Sequence, residues 1–168
     1  MKLLTLIRHA KSSWKDPGRE DFDRPLNKRG KRDAPDMGER LATGGAIPEL
    51  ILSSSAQRAA DTAREIAAQL GSGVVDLVFE PGLYLASAGQ LLDAVRGIDQ
   101  QVGHVALVAH NPGITDLVNA LADVRIDNVP TCGVANLRLD VERWSDADLG
   151  RGELLDFDYP KRERGGAR

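Results

Sequence analysis

Arg8 and His9 stand together at the end of the apolar run Leu3-Leu4-Thr5-Leu6-Ile7, just before the turn-rich stretch Lys11-Ser12-Ser13-Trp14-Lys15-Asp16-Pro17-Gly18. The run is short, branched and unbroken, as in a strand buried on both faces. Ligands of open α/β sheets sit in the crevice beyond the carboxyl ends of such strands. A planar guanidinium beside an imidazole at that end can grip a phosphate and attack it. Attack requires the neutral imidazole, which prevails above about pH 6.5 in an unperturbed histidine. The plainer alternative is a solvated strand end that carries two polar residues.

A second run, Val105-Ala106-Leu107-Val108-Ala109, leads into His110-Asn111-Pro112-Gly113. Of the three histidines, His9, His104 and His110, two directly follow a buried-looking strand. Pro112 fits the first position of a helix and Asn111 the cap before it. His110 would then lie at a helix amino terminus, itself an anion site. Arg58 is the third element. Ser53-Ser54-Ser55 ends a strand and offers helix caps; Ala59, Ala63, Ile66 and Leu70 recur at helical spacing, and Gly71 supplies the stop. Arg58 falls in the first turn of that helix, where a cation opposes the dipole by up to about 1 kcal/mol. A bound phosphate reverses the penalty. An exposed Arg58 paired with Asp61 or Glu65 is the alternative.

Together these residues resemble the histidine phosphatase (phosphoglycerate mutase-like) superfamily. The matching pieces are Arg8-His9-Ala10-Lys11-Ser12, the stretch from Ser53 to Ala63, and His110-Asn111-Pro112-Gly113. Arg24-Pro25-Leu26-Asn27-Lys28-Arg29-Gly30 and Leu83-Tyr84 are similar to the small branch around the phosphohistidine phosphatase SixA, and the match runs from about Lys2 to about Asp140. The resemblance implies that His9 is the nucleophile and becomes transiently phosphorylated. It implies that Arg8, Arg58 and His110 hold the phosphoryl oxygens, whose spread negative charge calls for several fixed donors. Ser12 and Asn111, within the matched motifs, join Arg8, Arg58 and His110 as candidate substrate-binding residues. No metal and no cofactor is implied.

The chain departs from the family pattern in two places. The glycine common after the catalytic histidine is Ala10, and the glutamate that protonates the leaving group in many members aligns with Gly82 in Glu80-Pro81-Gly82-Leu83-Tyr84. Glu80, Glu20, Asp21 and Asp23 are acidic residues nearby in sequence. The missing glutamate matters less for an imidazole leaving group, because the P–N bond is already labile. The expected activity is therefore removal of phosphate from phosphohistidine on a protein partner, with a small phosphomonoester as the other enzymatic substrate class. The non-enzymatic alternative is a phosphate-sensing or metal-binding module, against which stands the lack of a third carboxylate ligand beside His9 and His110 at a strand end.

The remaining sequence reads as one compact unit. With 168 residues, 42% hydrophobic and 28% charged, the chain is globular and long enough for one core. Its net charge of -3 offers no field for nucleic acid or an anionic membrane. Lys28, Arg29, Lys31 and Arg32 are followed at once by Asp33 and Asp36, as on a solvated helix face. The single cysteine, Cys132, precludes an intramolecular disulfide and reads as a packed residue near the site rim. No run reaches the length of a membrane helix, and the five-residue N-terminal run is no signal peptide, so a cytoplasmic location is expected. Strands are expected at 3–8, 49–53, 74–79, 104–109, 133–139 and 154–159, and helices at 27–43, 56–70, 88–97 and 112–122. Pro35 would kink the first helix or delay its start to about Asp33. The alternation predicts a three-layer α/β/α fold, with a mainly parallel sheet of about six strands and one antiparallel strand. A single domain over 1–160 is expected, with a charged, disordered tail over 161–168.

Overall fold

The computed structural model of the protein describes residues 1–45, 47–71 and 73–163. Among them, β1 (Lys2–Arg8), β2 (Leu50–Ser54), β3 (Asp76–Glu80), β4 (His104–Ala109), β5 (Val134–Leu139) and β6 (Gly152–Asp158) form one sheet in the order β3-β2-β4-β1-β5-β6. The first four strands are parallel, and β5 runs antiparallel to both β1 and β6. The helices are α1 (Lys28–Thr43), α2 (Gln57–Gln69), α3 (Ala88–Arg96) and α4 (Gly113–Ala122). No described helix is long and apolar enough to cross a membrane.

Strand alternation divides the core into two layers. Leu4, Leu6, Val105 and Leu107 pack with Leu91 and Val95 of α3 and Leu117 and Leu121 of α4. Ile7, Ile51, Ala106 and Val108 face the other way, onto Ala34, Met37 and Leu41 of α1 and Ala59, Ala63 and Ile66 of α2. The result is the expected α/β/α sandwich. Ser87 and Gln90 form the reciprocal capping box at the start of α3.

Several elements differ from the sequence reading, β6 among them, which spans Gly152–Asp158 rather than 154–159. α1 begins at Lys28 and runs through Pro35, because the Asn27 side chain caps it by accepting from the Gly30 amide at 2.9 Å. Pro35 forfeits one helical bond, and the buried stripe of Ala34, Met37 and Leu41 outweighs that loss. β3 starts at Asp76 rather than near residue 74. The tail is described through Glu163, where the Arg162 amide donates to Tyr159 O at 2.9 Å and its guanidinium donates to Asp156 Oδ1 at 2.9 Å. The remainder of the tail, 164–168, lies outside the described residues.

Register sets the site. Arg8 pairs with Ala109 across β1 and β4, and the His9 amide donates to the Ala109 carbonyl at 3.0 Å. Both strands thus release their histidines at one level. Ser53 of β2 pairs with Val108, so β2 ends beside them. Gly30 braces the loop after His9, because α1 presses there on the Lys11 backbone and any Cβ would overlap the Lys11 carbonyl. Gly30→Ala should therefore cost roughly 1–3 kcal/mol through overpacking. A urea midpoint indistinguishable from that of the unmodified protein would show that this contact yields freely.

Candidate active site

His9, at the carboxyl end of β1, is 8% exposed. Its Nδ1 lies 2.7 Å from the Ala10 carbonyl, so Nδ1 carries the proton and donates. Nε2 is left with its lone pair, toward which Arg58 Nε–H points at 3.3 Å. Burial is the main cause that pushes the His9 pKa down to about 3, and the charges of His110, Arg58 and Arg8 lower it further. A neutral imidazole with an unprotonated Nε2 is the nucleophilic form, and here it prevails far below the ordinary pH 6.5.

Arg58 sits in the first turn of α2, as its spacing predicts, but it is 3% exposed and pairs with neither Asp61 nor Glu65. Its Nη1 donates to the Asp21 carbonyl at 2.7 Å and its Nη2 to Asp21 Oδ2 at 3.1 Å. Asp61 instead accepts from Gln57 at 2.8 Å. Thr62, one turn further along α2, donates to Arg58 O at 2.7 Å and accepts from the Ala10 amide at 2.9 Å. That hydroxyl ties the arginine's helix to the histidine's loop.

His110 closes the cup from β4. Its ring centroid lies 5.1 Å from that of His9, and Tyr84 meets it edge-on at 5.5 Å. Its Nε2 is 2.7 Å from Ser54 Oγ, and its Nδ1 is buried with no partner from the protein. Burial first, and Arg58 second, push its pKa down to about 4. Arg8 donates from Nη1 to Val129 O at 3.0 Å, and its charge acts on both histidines. Arg8 Nε is buried and unpaired by protein. An unmet buried donor costs about 1–3 kcal/mol, a cost that an oxyanion bound there would relieve.

The structure corrects several expectations. None of Ser53, Ser54 or Ser55 caps α2: the cap position is Ala56, and the Ser54 oxygen turns instead to His110 and the Ala56 amide. α4 begins at Gly113 with Pro112 as its cap residue. Its first-turn amides are used internally, Ile114 N on His110 O at 3.0 Å and Thr115 N on Asn111 Oδ1 at 3.2 Å. The amino terminus of α4 is thus largely spent as an anion site. Asn111 also gives both amide protons away, to Asn128 Oδ1 at 2.9 Å and Val129 O at 3.1 Å. With its oxygen shared between the Thr115 amide and hydroxyl, the Asn111 side chain is fully engaged and fastens a turn. Ser12 accepts from Arg24 Nη1 at 2.7 Å, behind Asp21. Gly82 brings no side chain, and exposed Glu80 folds back to accept from the Gly82 amide at 3.3 Å. Neither supplies an acid to the site.

Two residues absent from the expected site complete it. Asp21 accepts from Arg24 Nε at 3.0 Å, from Arg58, and from the Tyr84 hydroxyl. These partners, Tyr84 foremost, hold its pKa down to about 2, so it is ionised at neutral pH. The visible signals were the acidic loop and the Leu83-Tyr84 pair. Cys132 is fully buried, and burial pushes its thiol pKa up, which keeps it inert. Its amide donates to the carbonyls of Arg8 and His9 at 3.0 and 3.1 Å. Among the described residues, no group of three His, Cys, Asp or Glu side chains gathers as metal ligands would.

Comparison with known proteins agrees with this geometry. The profile of the histidine phosphatase superfamily (branch 1) matches residues 4–93. An uncharacterised chloroplastic protein of Arabidopsis thaliana is 33% identical over 86% of this chain and 69% of its own length. An uncharacterised protein of Mycobacterium tuberculosis is 32% identical over 92% of this chain and all of its own. The solved structure assigned as phosphohistidine phosphatase SixA of Agrobacterium tumefaciens superposes with a TM-score of 0.82 at 30% identity, covering 95% of this chain and 98% of that one. The chain belongs to the histidine phosphatase superfamily. Within it the protein is a phosphatase of SixA-like fold.

All three histidines are buried, and burial lowers the pKa of each, His104 included. The unfolded chain binds their protons near pH 6.5, whereas in the folded chain His104 takes its proton at lower pH, and His110 and His9 only near about 4 and about 3. Stability is therefore full above about pH 6.5 and falls as pH drops, by up to about 1.4 kcal/mol per histidine per pH unit. The urea midpoint should be clearly lower at about pH 5 than at about pH 7.5. Equal midpoints would mean that the folded histidines titrate normally.

Proposed function

We propose that the protein removes phosphate from phosphohistidine on a protein partner, without a metal, through a phosphohistidine intermediate on His9. The observation that carries this reading is the pairing of His9 Nε2 with Arg58 Nε at 3.3 Å, while Nδ1 is fixed on the Ala10 carbonyl. In the first half-reaction Nε2 attacks phosphorus and the leaving imidazole takes the electron pair of the broken P–N bond. Arg58, Arg8 and His110 follow the charge on the three equatorial oxygens. In the second half-reaction water attacks the same phosphorus and His9 departs as it arrived. Two guanidinium groups supply the positive charge that a metal otherwise would.

The substrate class is argued from what the site does not offer. The acid that alkyl phosphoesters need is missing at Gly82, Glu80 is turned onto its own loop, and Asp21 is ionised. Phosphohistidine needs such an acid least. Similarity to the A. tumefaciens SixA favours the same substrate. A cytoplasmic location belongs to this reading, in keeping with a lone, unpaired cysteine.

His9→Ala should abolish turnover, and brief incubation of the unmodified protein with labelled substrate should leave an acid-labile, base-stable adduct on His9. Labelling of the alanine variant would exclude His9 as nucleophile. Arg58→Ala should lower kcat/KM by about 10²–10³-fold, the usual loss for one donor to a transition-state oxyanion. General acids contribute about 10²–10⁴-fold, so a phosphoserine peptide should be poorer than a phosphohistidine peptide by that order. Equal kcat/KM for the two peptides would instead favour a small phosphoester as substrate.

A further inference from the structure

We propose that Asp21 is the residue that selects the leaving group, favouring one that is a cation before cleavage, the imidazolium of phosphohistidine, over one that departs as an anion. The inference rests on the phosphohistidine reading above and assigns the residue that enforces it. Its first support is position. His9 and His110 are 8% and 2% exposed, and the Arg58 side chain 4%, whereas the Asp21 side chain is 43% exposed. In-line transfer puts the departing atom opposite the attacking nitrogen. With His9 on the buried floor, the leaving group faces solvent, and the half-exposed Asp21 carboxylate is bound to the same guanidinium that faces His9 Nε2.

The second support is charge. The groups facing Asp21 are Arg24 from its own segment, Arg58 from α2, Tyr84 from the loop after β3, and His110, which feels its charge. They hold the carboxylate ionised at neutral pH, with a pKa of about 2. Glu20 and Asp23, exposed on the same segment, add the same sign. An ionised carboxylate has no proton to give, which makes it a poor partner for an alkoxide or phenolate. It suits an imidazole that already carries a proton on its far nitrogen, because a nearby negative charge favours the protonated ring. The step balances without proton transfer to Asp21. The bond from His9 Nε2 to phosphorus forms, and the bond from phosphorus to the substrate nitrogen breaks with its pair on that nitrogen. The far proton stays, so the ring departs neutral.

The test compares kcat/KM for N-phosphoimidazole and p-nitrophenyl phosphate in the unmodified protein, Asp21→Asn and Asp21→Glu. An opposite charge within about 4–6 Å moves a pKa by about 1–3 units, so the ratio of the two rates should fall about tenfold or more in Asp21→Asn. The alkaline limb of the phosphoimidazole profile should move to lower pH in that variant, and Asp21→Glu should restore the ratio. A loss shared equally by both substrates would mean that Asp21 merely positions Arg58, and the inference falls. If the unmodified protein hydrolyses the aryl ester but not phosphoimidazole, the phosphohistidine reading fails, and the inference with it.

Discussion

Arg58 is a cation buried where a protein can least tolerate one, and the site is organised around neutralising it. Burying an unpaired charge costs several kcal/mol, so its partners are fixed by necessity. Asp21 takes two of its nitrogens and His9 Nε2 faces the third. Those contacts join α2, the segment before α1 and the end of β1. Tyr84 and Arg24 extend the network by holding Asp21, and Trp14 stacks on Arg24 with the cation 3.5 Å from the ring centroid. Thr62 secures the backbone of the same helix to the loop after His9. Moving Arg58 would disturb every one of these attachments.

The same arrangement accounts for the state of the two histidines. Burial first, and positive neighbours second, disfavour imidazolium, so both rings stay neutral where an ordinary histidine begins to charge. A neutral His9 keeps its lone pair for phosphorus. A neutral His110 leaves the positive charge to the arginines, whose protonation does not vary over the working pH range. The cup is therefore cationic on its floor and anionic at its mouth. That polarity suits a phosphoryl group entering with its oxygens downward and a protonated ring above.

Much of this was legible in the sequence wherever a local rule governed. β4 ended where its apolar run ended, β1 and β2 within two residues of theirs, and the placing of His9 and His110 followed from that. The parallel register then brought them together with Arg58, which helical spacing had put in the first turn of α2. What stayed hidden depends on contacts between distant loops. Nothing near Asp21 in sequence announces Arg58, 37 positions on, or Tyr84, 63 positions on. The roles of Ser54 and Asn111 were misread for a related reason. Both are good helix caps by type, but His110 claims the Ser54 oxygen, and Asn111, whose oxygen does serve the first turn of α4 through Thr115, gives its amide protons to Asn128 and Val129 across the loop. At Pro35, packing overrode the local rule.

The central claim is that His9 is held as a neutral imidazole, protonated on Nδ1, with Nε2 presented to Arg58. Nitrogen-15 NMR of the imidazole side chains reads this directly, because the two ring nitrogens differ in shift when one carries the proton and converge when both do. At about pH 5, His9 should still show one protonated Nδ1 and one bare Nε2, and Arg58→Ala should bring its titration up toward the ordinary value. An imidazolium that forms near pH 6.5 in the unmodified protein, or a proton found on Nε2, would contradict the account.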